Sequence, residues 1–361
     1  MRKTHGGNFF EDFALGQELQ HAPPRTVGEG DAALYLALTG SRFAQHCSAP
    51  FARANGLPGL PIEDLLTFHL VFGKTVPDIS LNAVANLGYA EGRFLDLVYP
   101  GDTLEARSEV IGLRETSSGK AGIVWVRTRG YKQGRRPVLE YVRWVLVRKR
   151  DPETRTAASR TPSLAPAVAA EALVPPPGLG PVRVDPAVTG SPWFFEDYEP
   201  GEKIDHVDGM GVMESEHRLA TRLYQNTARV HFNDHVERRG PLGACIVYGG
   251  VVISIARALS FNGLGNMLHI LAINAGTHAN PCVAGDTIYA WSEVLEKAEI
   301  AGREDLGALR LRLVAVKNRP ASSFPLKNAE GRYLPEVLLD FDYWGLMPRR
   351  TAVRPAPEGR A

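Results

Sequence analysis

Long stretches of the chain alternate between apolar and polar residues, which is typical of β-strands with one buried face. The clearest of these predicted strands are Thr103 to Leu113, Ile123 to Tyr131, Val138 to Lys149, Thr287 to Glu296 and Leu309 to Lys317. Two other segments, Asp64 to Val76 and Gly250 to Phe261, are mostly apolar and predict buried helices. A helix followed by consecutive strands thus occurs twice. This order favours an antiparallel sheet wrapped round one central helix.

The sequence also repeats itself. The block FFED at Phe9 recurs 185 positions later at Phe194, and the same shift aligns further residues without a gap. The aligned pairs include Gly16 with Gly201, His21 with His206, Glu29 with Glu214, and His46 with His231. After a one-residue change of shift, PGDTL at 100–104 meets AGDTI at 284–288, and the ends of the halves match at Trp144 and Trp344. Matches at the start, middle and end of each half indicate an internal duplication.

The duplication predicts the domain organisation. Residues 1–150 are expected to form an N-terminal hot-dog unit that is mainly scaffold, and residues 193–350 a C-terminal hot-dog unit that carries the active site. Residues 151–192 are rich in Pro and Ala without a hydrophobic period, so we predict an extended linker. Residues 351–361 are expected to be a tail. The predicted fold class is therefore α+β, a double hot-dog fold.

Charge and composition exclude several classes of function. The formal net charge is +1 and no long basic run occurs, so nucleic acid is not an expected partner. The N-terminus lacks the apolar core of a signal peptide, and the most apolar stretch is too short and too interrupted to span a membrane. The three cysteines, Cys47, Cys245 and Cys282, have neither metal-ligand nor disulfide spacing. These features predict a cytoplasmic enzyme or binding protein.

The two halves differ at the positions that could carry chemistry. In the second half, the run from Asn226 to His235 contains two imidazoles, His231 and His235, and the carboxylate of Asp234. The corresponding run in the first half, Ser41 to Ser48, keeps only one histidine. Both copies must meet the same requirements of the fold. Chemically active residues that only the second copy has therefore indicate that the second half carries the function.

The start of the apolar helix differs as well. The second half has Tyr248, Gly249 and Gly250 there, and the first half has Glu63 and Asp64. A helix start without side chains leaves bare N–H groups at the positive end of the helix dipole, where an oxyanion is stabilised. We predict that Glu63 and Asp64 instead cap their helix, and that His46 is structural. A zinc site at His231 and His235 would lack a third ligand.

These positions resemble the MaoC-like hydratases, the (R)-specific enoyl-CoA hydratase group. The family signature has an Asp followed five residues later by a His, and then a His-Gly that opens the central helix. Asn226 falls on the family Asp, His231 on the family His, and Tyr248-Gly249 on the His-Gly. Longer stretches, such as RLYQNTARVHFNDH and IVYGGVVISIARALSFNGL, resemble a branch of the family that hydrates a dicarboxylic enoyl-CoA.

The resemblance implies a hydro-lyase that reversibly adds water to an enoyl-CoA with no cofactor and no metal. His231 is the expected base, Asn226 would hold the water or fix the imidazole, and Asp234 or His235 would supply proton exchange. Tyr248, Gly249 and Gly250 would form the oxyanion and substrate site. An arginine would bind the substrate carboxylate, and the sequence leaves the choice among Arg222, Arg229 and Arg257 open.

Two other functions are compatible with the same fold. The protein could be a thioesterase or a hydratase for another acyl-CoA, or it could bind acyl-CoA as a sensor without turnover. A homo-oligomer, dimeric or larger, is also expected, with no membrane partner.

Overall fold

The computed structural model describes residues 3–154 and 159–353. Ten strands form its framework, and their bounds are β1 Glu18–Thr26, β2 Ala83–Phe94, β3 Thr103–Glu115, β4 Ala121–Lys132, β5 Arg136–Arg148, β6 Lys203–Gly211, β7 His269–His278, β8 Thr287–Glu299, β9 Leu306–Lys317 and β10 Val337–Pro348. The strands predicted from alternation are confirmed, with ends that differ by a few residues.

All ten strands belong to one antiparallel sheet. Their order is β1-β3-β4-β5-β2-β7-β10-β9-β8-β6, so each half of the chain contributes five neighbouring strands. The two sets of five meet where β2 pairs with β7, at Gly92 with Ile273 and Arg93 with Ala272. A Cβ at Gly92 would lie only 2.8 Å from Ile273, so a glycine is required for this close approach.

The helices lie mainly against this sheet. Their bounds are α1 Glu29–Thr39, α2 Ala44–Cys47, α3 Ala49–Ala54, α4 Asp64–Thr75, α5 Pro186–Thr189, α6 Glu214–Leu223, α7 Asp234–Glu237, α8 Gly249–Leu259 and α9 Phe261–Leu264. A π-helix, Val76–Ser80, continues α4. Short 3-10 turns occur at Phe10–Asp12, Gln133–Arg135, Ala170–Ala172, Phe195–Asp197, Arg229–His231 and Arg350–Ala352.

The helices α4 and α8 are the two central helices. Every residue of α4 is buried, as are Gly250 to Ala258 of α8, because both helices are apolar on nearly all sides. They also contact each other, since His69 Nε2 of α4 lies 3.0 Å from Ser254 Oγ of α8. The prediction of two fused hot-dog units in an α+β fold is confirmed.

The duplication is visible in buried polar contacts. His21 Nε2 lies 2.8 Å from Ser108 Oγ in the first half, and His206 Nε2 lies 2.8 Å from Ser292 Oγ in the second. All four residues are buried. Both halves therefore tie their edge strand, β1 or β6, to the next strand of the sheet with the same pair of side chains.

The Pro/Ala-rich segment is extended for most of its described length, but it is not a free linker. Five of its apolar side chains are buried in one cluster with Trp344 and Leu346 of β10: Val168, Leu173, Leu179, Val182 and Val184. In addition, Trp344 Nε1 donates a hydrogen bond to the Val168 carbonyl at 3.0 Å. Sparse Val and Leu residues thus cover part of the sheet without any regular period, which is why no hydrophobic pattern revealed the packing. Of the predicted tail, residues 354–361 lie outside the described residues.

Within the described residues, no helix is both long and apolar enough to cross a membrane.

Candidate active site

A cavity of about 580 Å³ lies between the two halves. This volume is within the usual range for small-molecule sites. The second half supplies Asn226, Arg229, His231, Tyr248, Gly249 and His278 to its wall, and the first half supplies Phe72, Ser80, Asn86, Tyr89, Arg143 and Arg148. Four residues that the sequence singled out for chemistry, His231, Asn226, Tyr248 and Gly249, therefore face one space.

The imidazole of His231 is held by the backbone. His231 ends a short 3-10 turn, Arg229–His231, and its Nδ1 lies 2.9 Å from the Ile246 carbonyl oxygen. A carbonyl can only accept, so Nδ1 must carry the hydrogen and the neutral ring has its lone pair on Nε2. This tautomer leaves Nε2 free to accept a proton in the cavity.

Burial keeps this imidazole neutral. His231 is 8% exposed, and burial lowers its pKa to about 4, with the nearby His217 also lowering the pKa and the bond to Ile246 opposing the change. At neutral pH the ring is therefore unprotonated, which is the form that a general base requires.

The start of α8 lines the same cavity, and the Tyr248 ring centre lies 5.4 Å from that of His231. Tyr248 is the N-cap of this helix and Gly249 is its first residue. The N–H groups of the first turn have no acceptor within a helix, and they lie at the positive end of its dipole. A Cβ at Gly249 would lie 2.3 Å from Cε1 of His278, so only glycine lets the His278 ring pack against this helix start.

Gly250 lies behind the cavity wall. A Cβ there would lie 2.7 Å from two atoms of the His69 ring, so Gly250 lets α4 and α8 approach each other. Gly249 alone of the pair lines the cavity, so the position of Gly250 does not support its expected place in the substrate site.

The first half contains a closed version of the same arrangement. His46 Nδ1 lies 3.3 Å from the carbonyl oxygen of Pro61, which follows fifteen residues later. His231 Nδ1 makes the same kind of contact with the carbonyl of Ile246, also fifteen residues later. The position of Gly249, however, is taken by Asp64, whose Oδ2 lies 3.8 Å from His46 Nε2. A buried carboxylate therefore occupies the space that is open beside His231.

Glu63 and Asp64 do not cap their helix, contrary to the prediction. Glu63 has no side-chain cap bond, and its carboxylate accepts a hydrogen bond from Ser41 Oγ at 2.5 Å. Asp64 accepts from the Ile270 N–H at 2.8 Å and lies 3.3 Å from His269 Nδ1. For Asp64, contacts with β7, whose His269 follows 205 residues later, replace a local capping bond.

Of the described residues, His46, Asp64 and His269 are the group whose ligand atoms could hold a metal ion by type and spacing, since those atoms lie within 4.8 Å of one another. They lie in the closed first-half arrangement. His235, by contrast, is exposed while His231 is buried, so these two histidines do not form a pair for zinc.

Asp234 and His235 lie outside the cavity. Arg218 donates two hydrogen bonds to the Asp234 carboxylate, at 2.9 and 2.6 Å, and this guanidinium lowers the pKa of Asp234. His235 is exposed on the short helix α7. Chain turns between His231 and these residues direct them to the surface, so the expected proton exchange through them is not supported by their positions.

The three candidate arginines, Arg222, Arg229 and Arg257, differ in their position relative to the cavity. Arg257 is 4% exposed, and its guanidinium lies 3.5 Å above the centre of the Phe43 ring, outside the cavity. Arg257 lies in the last turn of α8, away from the helix start at the cavity, so it cannot bind a substrate there. Arg229 is exposed and lines the cavity, and Arg222 is exposed and does not.

Three wall residues escaped the sequence-based reasoning. His278 is the last residue of β7, and burial lowers its pKa to about 4. The Tyr89 hydroxyl lies 3.2 Å from His278 Nε2. Arg143, directly opposite Tyr89 in the β2–β5 pairing, is completely buried. An arginine inside a mostly apolar strand, VLEYVRWVLV, is the one signal that could have indicated the last of these.

Comparison with known proteins places this geometry in a family. The chain is 60% identical over 348 residues to the β-methylmalyl-CoA dehydratase of Chloroflexus aurantiacus, covering 96% of this chain and 99% of that protein. The chain belongs to the MaoC-like dehydratase family. It is also 60% identical over 347 residues to the mesaconyl-CoA hydratase of Cereibacter sphaeroides, covering 96% and 100% of the two chains. The profile of the MaoC like domain matches residues 11–130, which lie in the first half.

Solved structures of relatives have the same architecture. A MaoC domain protein dehydratase from Chloroflexus aurantiacus superposes with a TM-score of 0.94 at 59% identity, covering 97% of this chain and all of that one. A protein of Mycobacterium tuberculosis described as a double hotdog fold superposes with a TM-score of 0.73 at 24% identity, covering 95% and 99%. The second match supports the fold alone.

Proposed function

We propose that the protein catalyses the reversible addition of water to mesaconyl-CoA, which yields β-methylmalyl-CoA. The observation that carries this proposal is the neutral imidazole of His231 facing the same cavity as the glycine start of α8. The names of the two relatives at 60% identity over nearly their whole length supply the substrate.

In the proposed reaction, His231 Nε2 takes a proton from water while the water oxygen attacks the β-carbon of the enoyl group. The electron pair of the double bond moves to the thioester oxygen, and the N–H of Gly249 stabilises that charge together with the dipole of α8. The α-carbon then takes the proton back from the His231 imidazolium, so no other acid is needed. General base catalysis of this kind contributes about 10²- to 10⁴-fold to a rate.

The exposed arginines at the cavity suit the CoA portion of the substrate. Arg148 and Arg229 line the cavity from opposite halves, and both are exposed. Guanidinium groups in this position bind the phosphates of CoA. This assignment gives Arg229 a binding role without a role in chemistry.

Asn226 is proposed to orient the attacking water. Its Oδ1 accepts a hydrogen bond from the Ala228 N–H at 2.9 Å, so the amide is fixed at the cavity wall. We expect Asn226→Leu to lower kcat/KM for hydration at least about tenfold, because leucine cannot hydrogen-bond water. Asn226→Asp should keep most of the activity, since it accepts the same backbone bond and restores the family residue. Equal rates for the parent and the leucine variant would contradict this role.

The pKa of His231 predicts an unusual pH profile. The base must be unprotonated, and its pKa is lowered to about 4, so kcat/KM should stay level as the pH falls from about 7 to 5 and should halve only near pH 4. An ordinary histidine base would lose activity near pH 6.5. Circular dichroism at each pH separates titration from acid unfolding. A half-maximal point near 6.5 in a folded protein would exclude His231 as the base.

Incubation of the purified protein with mesaconyl-CoA tests the proposed function. We expect the enoyl absorbance to fall and the product mass to rise by one water, with no thiol released. Release of free CoA would instead identify a thioesterase, and tight binding without turnover would identify an acyl-CoA sensor. A hydratase for another acyl-CoA would be revealed by faster turnover of that compound in a competition assay.

We further propose that the protein forms a homo-oligomer and works in the cytoplasm. The described cysteines are free thiols, which suits a reducing compartment. Light scattering coupled to size-exclusion chromatography measures the oligomeric state directly.

A further inference from the structure

Arg143 is a buried cation that has no carboxylate partner among the described residues. It is 0% exposed, and together with Arg257 it is one of two buried arginines in the part of the chain that the structure describes. Its Nη2 donates to Thr75 Oγ1 at 2.7 Å and lies 3.4 Å from Ser80 Oγ, and its guanidinium lies 4.2 Å above the Phe72 ring centre. These contacts fix its position but do not neutralise its charge, and it forms no ion pair with any described residue.

Other polar groups near Arg143 also lack partners. Both amide atoms of Asn86, the Tyr248 hydroxyl and Arg143 Nε are buried and have no hydrogen bond within the described structure. Asn86, Tyr248 and Arg143 all line the same cavity. Leaving such groups buried and unpaired destabilises a protein. Donors and a cation collected at one wall of a cavity are typical of a site for an anionic group of the ligand.

The other buried arginine, Arg257 of α8, shows what is missing around Arg143. Burial raises the pKa of Tyr35 and of Tyr343, while Glu63 adds to the rise and Arg257 opposes it, so Glu63 and Arg257 act on the same phenols. Around Arg143, burial lowers the pKa of the guanidinium and only three tyrosines, Tyr141, Tyr89 and Tyr248, oppose the change. Glu63 and Arg257 thus act on the same two phenols, whereas no described carboxylate contributes to the pKa of Arg143 or of the three tyrosines around it.

We propose that Arg143, with the Asn86 amide and the Tyr248 hydroxyl, binds the free carboxylate of a dicarboxylic acyl-CoA and thereby sets the substrate class. The inference rests on the proposed function, because the cavity must hold the acyl group. In mesaconyl-CoA the free carboxylate is attached to the β-carbon. Anchoring it would fix that carbon beside the water-activating imidazole, while the exposed arginines take the CoA phosphates.

Binding of two saturated acyl-CoAs tests the proposal without any turnover. Methylsuccinyl-CoA carries the carboxylate, and 2-methylbutanoyl-CoA has a methyl group in its place. Isothermal titration calorimetry gives the ratio of their Kd values. We expect the parent to favour methylsuccinyl-CoA by at least about 10²-fold, and Arg143→Gln to remove most of this preference, because loss of one partner from a buried charge pair weakens binding by about 10²- to 10³-fold.

The matched control is Arg257→Gln, which removes the other buried arginine. It should lower the melting temperature and leave the Kd ratio within about threefold of the parent ratio. If Arg143→Gln fails to fold, the parent ratio still decides, since equal affinities for the two compounds would overturn the proposal. An Arg143→Gln variant that weakens both compounds equally would also overturn it, by showing that Arg143 binds the CoA portion. Selective binding without hydration would leave this inference standing and reject the proposed function instead.

Discussion

His231→Ala is expected to lower kcat/KM for hydration of mesaconyl-CoA by about 10²- to 10⁴-fold, with the protein still folded. The imidazole is held by one backbone carbonyl and faces the cavity, so its removal deletes the proton acceptor without breaking a buried ion pair. Steady-state kinetics with a thermal melt of the same sample measures both effects. Retained activity with a normal melt would rule out His231 as the base.

The chain offers a matched control in the other half. His46→Ala removes the duplicated histidine, which has the same backbone bond but faces Asp64. We expect this variant to lose about 1–3 kcal/mol of unfolding free energy, because a buried carboxylate loses a neighbour, and to keep kcat/KM within about threefold of the parent value. A His46→Ala variant that is stable but inactive would place the chemistry in the first half.

Gly249→Ala is expected to lower kcat/KM by about 10²- to 10³-fold, the usual cost of losing one oxyanion donor. The added methyl group would lie 2.3 Å from the His278 ring, so either that ring or the helix start must move. Movement of the helix start would misdirect the N–H that we assign to the thioester oxygen. The measurement is hydration kinetics at several substrate concentrations, where a fall in kcat rather than a rise in KM is expected.

Gly30→Ala is the control for this change. Gly30 lies in α1, and no atom lies within 4 Å of the place that an added methyl group would take, so the substitution should be neutral or slightly stabilising. Full activity in Gly249→Ala would show that the start of α8 tolerates a side chain, and the oxyanion assignment would then be wrong.

The fold was largely predictable because its signals are local. Alternation in strands such as β3 and β9 and the apolar character of α4 and α8 give the elements directly. The duplication then gives the pairing of the halves. Packing of the segment around Val168 was not predictable, because a few apolar residues without a period carry no local signal.

The candidate site was predictable at positions where residues that can carry chemistry differ between the two copies of the repeat. His231 and Gly249 differ in surroundings from their first-half counterparts, and that contrast is readable in the sequence. Arg143 on β5 and His278 on β7 reach the cavity from the two strands that flank β2, and such contacts depend on strand register rather than on residues nearby in the sequence. Asp234 is the opposite case, since closeness to His231 along the chain does not bring it into the cavity.

A crystal structure of the protein soaked with an equilibrium mixture of mesaconyl-CoA and β-methylmalyl-CoA tests the central claim most directly. We expect the acyl group in the cavity between the halves, with the hydroxyl of the hydrated form about 2.6–3.2 Å from His231 Nε2 and the thioester oxygen at the start of α8. An acyl group bound beside His46 and Asp64, or a hydroxyl beyond hydrogen-bonding reach of His231, would contradict the account.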